Sequence, residues 1–117
     1  MGSEPASMKV DWSPFAAAEI QSAIDHYEQQ RTGLGGQFLV AVRRTAAGIG
    51  EWPSAGKPVG ASFRARRVKR FPYSLIYTQV GPMIWIVSAP HQRRMPGYWR
   101  SRWEVREPIV AYGRLAA

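Results

Sequence analysis

The sequence has no cysteine among its 117 residues, which excludes disulfides, thiolate metal ligands and cysteine nucleophiles. Acidic residues are scarce, because only eight Asp or Glu are present and none lies between Glu51 and Glu104. Two-metal nucleolytic chemistry needs carboxylate ligands beside the phosphate, so we do not expect it. A phosphate-cradling glycine motif and a His, Asp or Glu cluster at metal-binding spacing are also lacking. No metal and no cofactor are therefore expected.

Long hydrophobic runs are absent as well. Runs such as Met83 to Val87 fall far short of the roughly 20 residues that a membrane-spanning helix needs. The first residues show no secretory signal, and we expect a soluble, cytoplasmic protein without a membrane partner. The length suits one domain, which we place at residues 8–105, after a leader or tag remnant (1–7) and before a C-terminal tail (106–117).

Positive charge is in excess, and it is concentrated in one half of the chain. The formal net charge is +8, and ten Lys or Arg residues lie between Glu51 and Glu104, interleaved with nine aromatic residues. The remainder is nearly balanced, with six basic and eight acidic residues. This segregation predicts a basic surface whose partner is a nucleic acid or an acidic polypeptide.

Two amphipathic helices are predicted after a short N-terminal strand. Lys9 to Trp12 alternates polar and apolar residues, as a strand with one buried face does. Ser13-Pro14 then joins a favoured N-cap to a proline tolerated at the first helical position. Apolar residues at helical spacing predict one helix to about Gln30 and, after a glycine-rich break at residues 32–36, a second helix ending near Pro53. The two should form an antiparallel hairpin.

Residues 52–62 are predicted to be a loop, and three strands follow it. Phe63 to Arg70, Tyr73 to Val80 and Met83 to Ala89 are rich in β-branched and aromatic residues. The last two are apolar on both faces and should be central, whereas the charged first strand suits an edge or a bulge. The predicted fold class is α+β: an N-terminal strand and a two-helix hairpin packed on an antiparallel β-sheet, with a short C-terminal helix at Pro96 to Val105. The opposite sheet face should present Arg, Tyr and His side chains.

Several short segments stand out between about Met8 and Trp103. They are Val10-Asp-Trp-Ser-Pro14, Pro53 with Gly56-Lys-Pro58, Arg64 seven residues ahead of Phe71-Pro-Tyr73, Leu75-Ile-Tyr77, Ile84 to Ala89, and His91-Gln-Arg-Arg-Met-Pro-Gly-Tyr-Trp99. In this order and spacing the chain resembles the RelE/ParE superfamily, the toxins of type II toxin–antitoxin modules. The order of secondary structure predicted above is also the one this superfamily has.

The resemblance implies a small basic toxin of the plasmid-stabilization type, which arrests growth. Its implied partner is an acidic, partly disordered antitoxin that wraps it in a hetero-oligomer. Two targets remain open: ParE-like members inhibit DNA gyrase, whereas RelE-like members are ribosome-dependent mRNA endoribonucleases. The Phe71-Pro-Tyr73 strand and the ending at His91 to Arg94 look more similar to ParE, so gyrase inhibition is favoured and the ribonuclease is the alternative.

If the protein is a nuclease, cleavage through the 2′-OH needs a base, an acid and cations around the phosphate, but no metal. His91 is the only side chain of the basic half with an imidazole, which titrates at about 6.5 when unperturbed. Arg66 and Arg94 could hold phosphate oxygens, and Tyr98 or Tyr77 could donate a proton. The candidate catalytic set is therefore His91, Arg66, Arg94 and Tyr98, with Tyr77 as the alternative proton donor.

Each histidine also has a structural interpretation. His91 could cap a backbone carbonyl at the end of a strand or pack on a neighbouring ring, and this structural interpretation is favoured over catalysis. His26 lies mid-helix beside charged neighbours and is predicted to be a solvated surface residue.

A second candidate site binds the target or the antitoxin without chemistry. The run from Arg64 to Arg70 has five cations in seven residues, which repel one another unless a partner offsets them. Protection of an edge strand needs only one or two lysines. The antitoxin could contribute acidic residues or an added β-strand. The residues assigned to this surface are Arg64, Arg66, Arg67, Lys69, Arg70, Arg93, Arg94 and Trp99.

Overall fold

In the computed structural model, which describes residues 7–93, a two-helix hairpin packs on a five-stranded sheet. The elements in chain order are β1 (Lys9–Trp12), α1 (Pro14–Gln30), α2 (Leu34–Glu51), a 3₁₀ turn (Pro53–Ala55), β2 (Lys57–Val59), β3 (Phe63–Arg67), β4 (Ser74–Val80) and β5 (Met83–Ser88). The predicted C-terminal helix and tail lie outside the described residues, and so does most of the predicted leader.

Helix α1 begins and ends where the sequence predicts. The hydroxyl of Ser13 accepts the backbone N–H of Ala16 at 3.0 Å and donates to the carbonyl of Val87 at 3.0 Å. The N-cap therefore also joins the start of the helix to β5. Pro14 occupies the first helical position, where no N–H is needed. No helix within residues 7–93 is both long and apolar enough to cross a membrane.

The turn between the two helices is tighter than predicted, because α2 already starts at Leu34. Gly33 is its N-cap with φ of 90°, a conformation that favours glycine. Without a capping side chain at this position, the carboxylate of Glu28 accepts the N–H groups of Gly33 and Gly35 at 2.9 and 3.0 Å. A Cβ on Gly35 would lie 2.7 Å from the carbonyl oxygen of Ile24. Glycine here lets the helices approach closely.

The sheet order is β1-β5-β4-β3-β2. Strand β1 pairs with β5 in parallel, and all other pairings are antiparallel. The predicted α+β class with helices on one face is confirmed, and the sheet is mixed because the N-terminal strand runs beside the last strand of the meander. Helix α1 contacts β5, and α2 reaches β1 and β3, so the hairpin lies across one face.

The prediction that the arginine-rich strand lies at the sheet edge is wrong. Residues 52–62 are not only a loop, because β2 pairs with β3 through Lys57 opposite Ala65 and Val59 opposite Phe63. The outermost strand is thus a three-residue segment containing Pro58, and short edge strands with proline resist further pairing. This strand was not predicted because the proline and glycine residues around it are typical of loops. Strand β3 also ends at Arg67 rather than Arg70.

The second face of the sheet does not present Arg, Tyr and His as predicted. It carries a separate apolar cluster of Phe63, Ile76 and Val87 with partly buried neighbours. The main core lies between the helices and the other face, where Leu75, Tyr77, Ile84 and Ile86 meet Phe38, Val42 and Ile49. Directly paired residues share a face. Arg64 opposite Tyr77 and Arg66 opposite Leu75 are therefore on the helix-covered face.

Candidate functional site

The arginines of β3 have three different surroundings. Arg64 donates from Nη1 to the carbonyl of Gly56 at 2.8 Å, which fixes the connection between the 3₁₀ turn and β2. Arg66 extends under α2 on the same face of the sheet. Arg67, the last residue of β3, is exposed, and its Nη2 lies 3.5 Å from Oε1 of Gln92. The three arginines of β3 therefore make different contacts.

Five cations converge on one groove, which we call the basic groove. It lies between α2 and the turn from β3 to β4 and has a volume of about 1130 Å³. Its charged lining residues are Arg44, Arg66, Arg67, Lys69 and Arg70, and its other lining residues are Gly33, Leu34, Gly36, Gln37, Val40, Ala41, Thr45 and Phe71. No acidic side chain is among them, so the groove is an electropositive concavity.

Arg66 is the most enclosed cation of the basic groove. Its Nη1 is buried and has no hydrogen-bond partner within residues 7–93. The guanidinium fits beneath α2 because position 48 is glycine: a Cβ there would lie 3.1 Å from Nη2 of Arg66. Buried polar atoms in proteins are nearly always hydrogen-bonded. A hydrogen-bond acceptor supplied by a ligand or partner would satisfy Nη1 of Arg66.

The turn after β3 presents the remaining cations. Lys69 and Arg70 are exposed, and Arg70 has φ of 75°, the only positive φ outside glycine within residues 7–93. Such a conformation costs about 1–3 kcal/mol and often accompanies function. Phe71 anchors the turn, because its ring meets those of Phe38 and Tyr27 at centroid distances of 5.1 and 5.2 Å.

Tyr77 is not available as a proton donor to a substrate. It is only 2% exposed, and its hydroxyl donates to the carbonyl of Pro53 at 2.6 Å and accepts the N–H of Gly56 at 3.2 Å. Burial raises the pKa of Tyr77 above its ordinary value, while the hydrogen bond from Gly56 and the charges of Arg64 and Arg66 oppose that shift. Its role is to hold the 3₁₀ turn, and a side chain at Gly56 would collide with it.

His91 lines a second, smaller groove beside α1. This groove has a volume of about 510 Å³, and Glu19, His26 and Tyr73 also line it. Nδ1 of His91 accepts the backbone N–H of Arg93 at 3.0 Å, and its ring meets that of Tyr73 edge to face at 5.1 Å. No lysine or arginine is among the lining residues.

The structure therefore brings together only part of each candidate set. Arg66, Arg67, Lys69 and Arg70 of the binding set meet in the basic groove, and Arg64 is held by the backbone beside it. Of the catalytic set, His91 and Arg66 line different grooves. Between the grooves lies an aromatic cluster of Tyr27, Phe38, Phe71 and Tyr73. Arg94, Tyr98 and Trp99 lie outside the described residues, and Arg93 is exposed at their boundary.

His26 is exposed, as predicted, and hydrogen-bonds to Gln30 at 2.9 Å. Its presence in the same groove as His91 was not predicted from the sequence. In residues 7–93 no three His, Asp or Glu side chains are grouped so that they could hold a metal ion.

Arg44 was not among the predicted site residues, because it lies on α2 outside the basic half of the chain. Gln37, Ala41 and Arg44 are spaced three and four residues apart, and Val40 lies beside them on the same helix face. This second stripe is distinct from the buried stripe through Phe38 and Val42. The periodicity was visible, but only the packed structure shows that the stripe faces the β3–β4 turn.

Comparison with solved structures identifies the fold. A chain described as the chromosomal ParDE TA system from P. aeruginosa is similar with a TM-score of 0.66 at 20% sequence identity, and the match covers 73% of this chain and 96% of that chain. The RelE/ParE-like fold that the resemblance implied is thereby confirmed. No protein-family description and no curated protein match the chain.

Proposed function

We propose that this chain is the cytoplasmic toxin of a type II toxin–antitoxin module, that it arrests growth by ParE-like inhibition of DNA gyrase, and that a cognate antitoxin neutralises it in a hetero-oligomer. The observation that carries the proposal is the fold shared with a chain of a ParDE system over nearly the whole length of that chain. The electropositive groove fits the proposal, because a toxin of this kind acts by binding a partner.

Two features favour binding over catalysis. General acid–base cleavage requires the titrating group and the phosphate-holding cations to surround one reacting atom. His91 and Arg66 line different grooves, and the hydroxyl of Tyr77 is occupied by Pro53 and Gly56. The described residues thus form a positively charged groove, and their candidate catalytic groups do not converge on one point.

The alternative is a RelE-like, ribosome-dependent and metal-independent mRNA endoribonuclease. The unpartnered Nη1 of Arg66 is the observation that favours it, because a guanidinium can hold phosphate oxygens through two hydrogen bonds. On this alternative, Arg94 and Tyr98 would complete the site together with His91.

Induced expression in bacterial cells tests the shared part of the proposal. The wild-type chain should stop growth, and co-expression of the protein encoded beside its gene should restore it. Normal growth of cells that contain the folded, abundant chain would contradict a toxin function of either kind.

Ribosomes programmed with a defined mRNA distinguish the two targets. The gyrase proposal predicts no new RNA ends when purified protein is added. New ends at the ribosomal decoding site, absent when ribosomes are omitted, would overturn gyrase inhibition and establish the endoribonuclease.

A further inference from the structure

We propose that a second copy of this chain binds along the outer edge of β1, so that two molecules form a symmetric dimer with one continuous sheet. Three features of this edge lead to the inference. They are an unpaired side of the strand, an apolar hollow beside it, and charges that become complementary when the surface meets its own copy. The inference goes beyond the proposed function and does not depend on the identity of the target.

The outer side of β1 can accept another strand. Within residues 7–93 β1 pairs only with β5 and is the last strand of the sheet on its side. The N–H of Ser13 is donated to the carbonyl of Ile86 at 2.9 Å, whereas the N–H of Trp12 is accepted by its neighbour Asp11 through Oδ1 at 2.9 Å. Because backbone groups alternate in direction along a strand, the N–H and C=O of Val10 point away from β5. Such an edge is a template for pairing with a further strand.

The charges of β1 favour its own copy as that strand. In an antiparallel pair with Val10 opposite Val10 of a second copy, the two residues exchange both backbone hydrogen bonds. Lys9 then lies opposite Asp11 of the second copy, and Asp11 lies opposite its Lys9. Lys9 and Asp11 are both exposed, and opposite charges directly across an antiparallel pair stabilise it. This register is the one that pairs both charges of each strand.

An apolar hollow beside β1 would be covered by the same pairing. The hollow has a volume of about 350 Å³ and lies between β1 and the C-terminal half of α2. Pairing at Val10 places Trp12 opposite Met8 of the second copy, on the face of the sheet that carries the helices. Contacts between an aromatic ring and a thioether are favourable. The apolar lining residues of the hollow are Met8, Val10, Trp12, Ala46, Ala47 and Gly50.

Helix α2 shows a second charge pattern with the same symmetry. Ala47 is exposed and lines the hollow, and Arg43 and Glu51, four residues before and after it, are also exposed. Residues four positions apart lie on one side of a helix. Two antiparallel copies of α2 that meet at Ala47 would place Arg43 of each copy beside Glu51 of the other. A contact in which the same patch serves both partners is typical of two-fold symmetric dimers.

The basic groove stays accessible in this dimer. Arg44 lines the groove and Arg43 does not, and the one charged residue that lines the hollow is Glu51. The five cations of each groove therefore lie away from the proposed contact. At 0.15 M salt the Debye length is about 8 Å, so repulsion between the two clusters is largely screened. The dimer would present two basic grooves at once, which increases the avidity for a partner that reaches both.

Two adjacent arginines of α2 provide a matched test of the helix contact. The measured quantity is the dimer Kd of the full chain, by sedimentation equilibrium at 0.15 M salt. Arg43→Glu should raise the Kd at least about tenfold, because it places a carboxylate beside Glu51 of the other copy, whereas Arg44→Glu has the same change in net charge and should stay within about threefold. Combining Arg43→Glu with Glu51→Arg exchanges the two charges and should return the Kd to within about threefold of wild type.

Two lysines at opposite edges of the sheet test the strand pairing. Lys9→Glu places like charges opposite each other at both ends of the β1 pair, and it should raise the dimer Kd at least about tenfold. Lys57→Glu is the control, because Lys57 is also exposed but lies on β2, at the other edge. Its Kd should stay within about threefold of wild type. Circular dichroism and thermal unfolding establish that each variant is folded.

The outcomes decide the inference without reference to toxicity. Wild-type protein that remains monomeric at about 100 µM, where a specific dimer of micromolar Kd would be populated, would overturn the dimer. A dimer whose Kd responds equally to Arg43→Glu and Arg44→Glu, or equally to Lys9→Glu and Lys57→Glu, would overturn this interface. Growth arrest by the wild type is a separate measurement, so the proposed function can fail while the dimer stands, and the reverse.

Discussion

The three arginines of β3 make different contacts although they are close together in the sequence. Arg64 donates to the carbonyl of Gly56 and belongs to the scaffold, whereas Arg66 keeps a buried nitrogen without a partner within residues 7–93. Arg67 pairs with Ser74 at the end of β3 and lines the basic groove with Arg66. Not every cation of β3 is therefore available to a binding partner. Substitutions at these positions should affect stability and binding to different extents.

The hydroxyl of Tyr77 should contribute measurably to stability. Tyr77→Phe removes the hydrogen bonds to Pro53 and Gly56 and leaves a buried carbonyl and N–H unsatisfied, so it should lower the free energy of unfolding by about 1–3 kcal/mol. Denaturant unfolding measures this difference. Tyr73→Phe is the control, because no hydrogen bond of its hydroxyl is present in residues 7–93. Equal effects of the two substitutions would contradict the role assigned to Tyr77.

Stability should fall at alkaline pH. Burial raises the pKa of Tyr27, Tyr73 and Tyr77 in the folded protein. In the unfolded chain these groups ionise at about pH 10, so above that pH the unfolded state has lost protons that the folded state still holds. The free energy of unfolding then decreases as pH rises. An ultraviolet titration should show native tyrosines ionising later than those of the denatured chain; coincident curves would refute the prediction.

His91 should be dispensable for the proposed activity. His91→Ala removes the acceptor for the N–H of Arg93 and an edge-to-face contact with Tyr73, which are contacts at the end of the sheet. Growth arrest and gyrase inhibition should change by less than about threefold. A nuclease that used His91 in proton transfer would lose a factor of about 10² or more. Loss of toxicity by folded His91→Ala protein would support the endoribonuclease.

The bounds of a helix or strand are predicted best where its capping residues and its apolar pattern agree with the way the element packs in the fold. Ser13 and Pro14 mark the start of α1, and the apolar stripe ends with it at Gln30. The start of α2 was predicted too late because Gly35 was interpreted as a helix breaker, although it is helical and faces the carbonyl of Ile24. Strand β2 was missed since Pro58 and its neighbouring glycines resemble loop composition.

The candidate site was harder to predict than the elements, because it depends on how they pack together. Arginines occupy both even positions (64 and 66) and an odd position (67) of the strand. Because successive side chains of a strand point to opposite faces of the sheet, the sequence pattern did not predict which face would carry the positive charge. Pairing of Arg66 with Leu75 places it under α2, and this brings it together with Arg44 from a helix of unremarkable charge. The distribution of charge along the sequence reveals neither the register of the strands nor the packing of the helices on the sheet.

Two adjacent glycines of α2 should respond in opposite directions to the same substitution. Gly35→Ala would bring a Cβ within 2.7 Å of a backbone oxygen of α1, so it should destabilise the hairpin by about 1–3 kcal/mol. Gly36→Ala meets nothing within 4 Å and should stabilise the helix by up to about 1 kcal/mol. Thermal and denaturant unfolding of the two variants measure this contrast. Stabilisation by both substitutions would show that the helices are not in close contact at Gly35.

At the scale of the whole molecule, the fold converts charge segregated along the sequence into charge concentrated on one surface. The basic groove contains two cations from β3, two from the turn after β3 and one from α2. The second face of the sheet is apolar rather than charged. Positive charge is thereby concentrated on the side where α2 meets the β3–β4 turn.

Gyrase inhibition is tested by the ATP-dependent supercoiling of relaxed plasmid DNA by purified DNA gyrase with increasing amounts of this protein. We predict that supercoiling is inhibited and that the adjacent-gene protein restores it. Relaxation of the same plasmid by a topoisomerase I is the control, because a protein of net charge +8 could coat DNA without specificity. Unaffected gyrase, with protein that still arrests growth in cells, would contradict the account and direct attention to the ribosome.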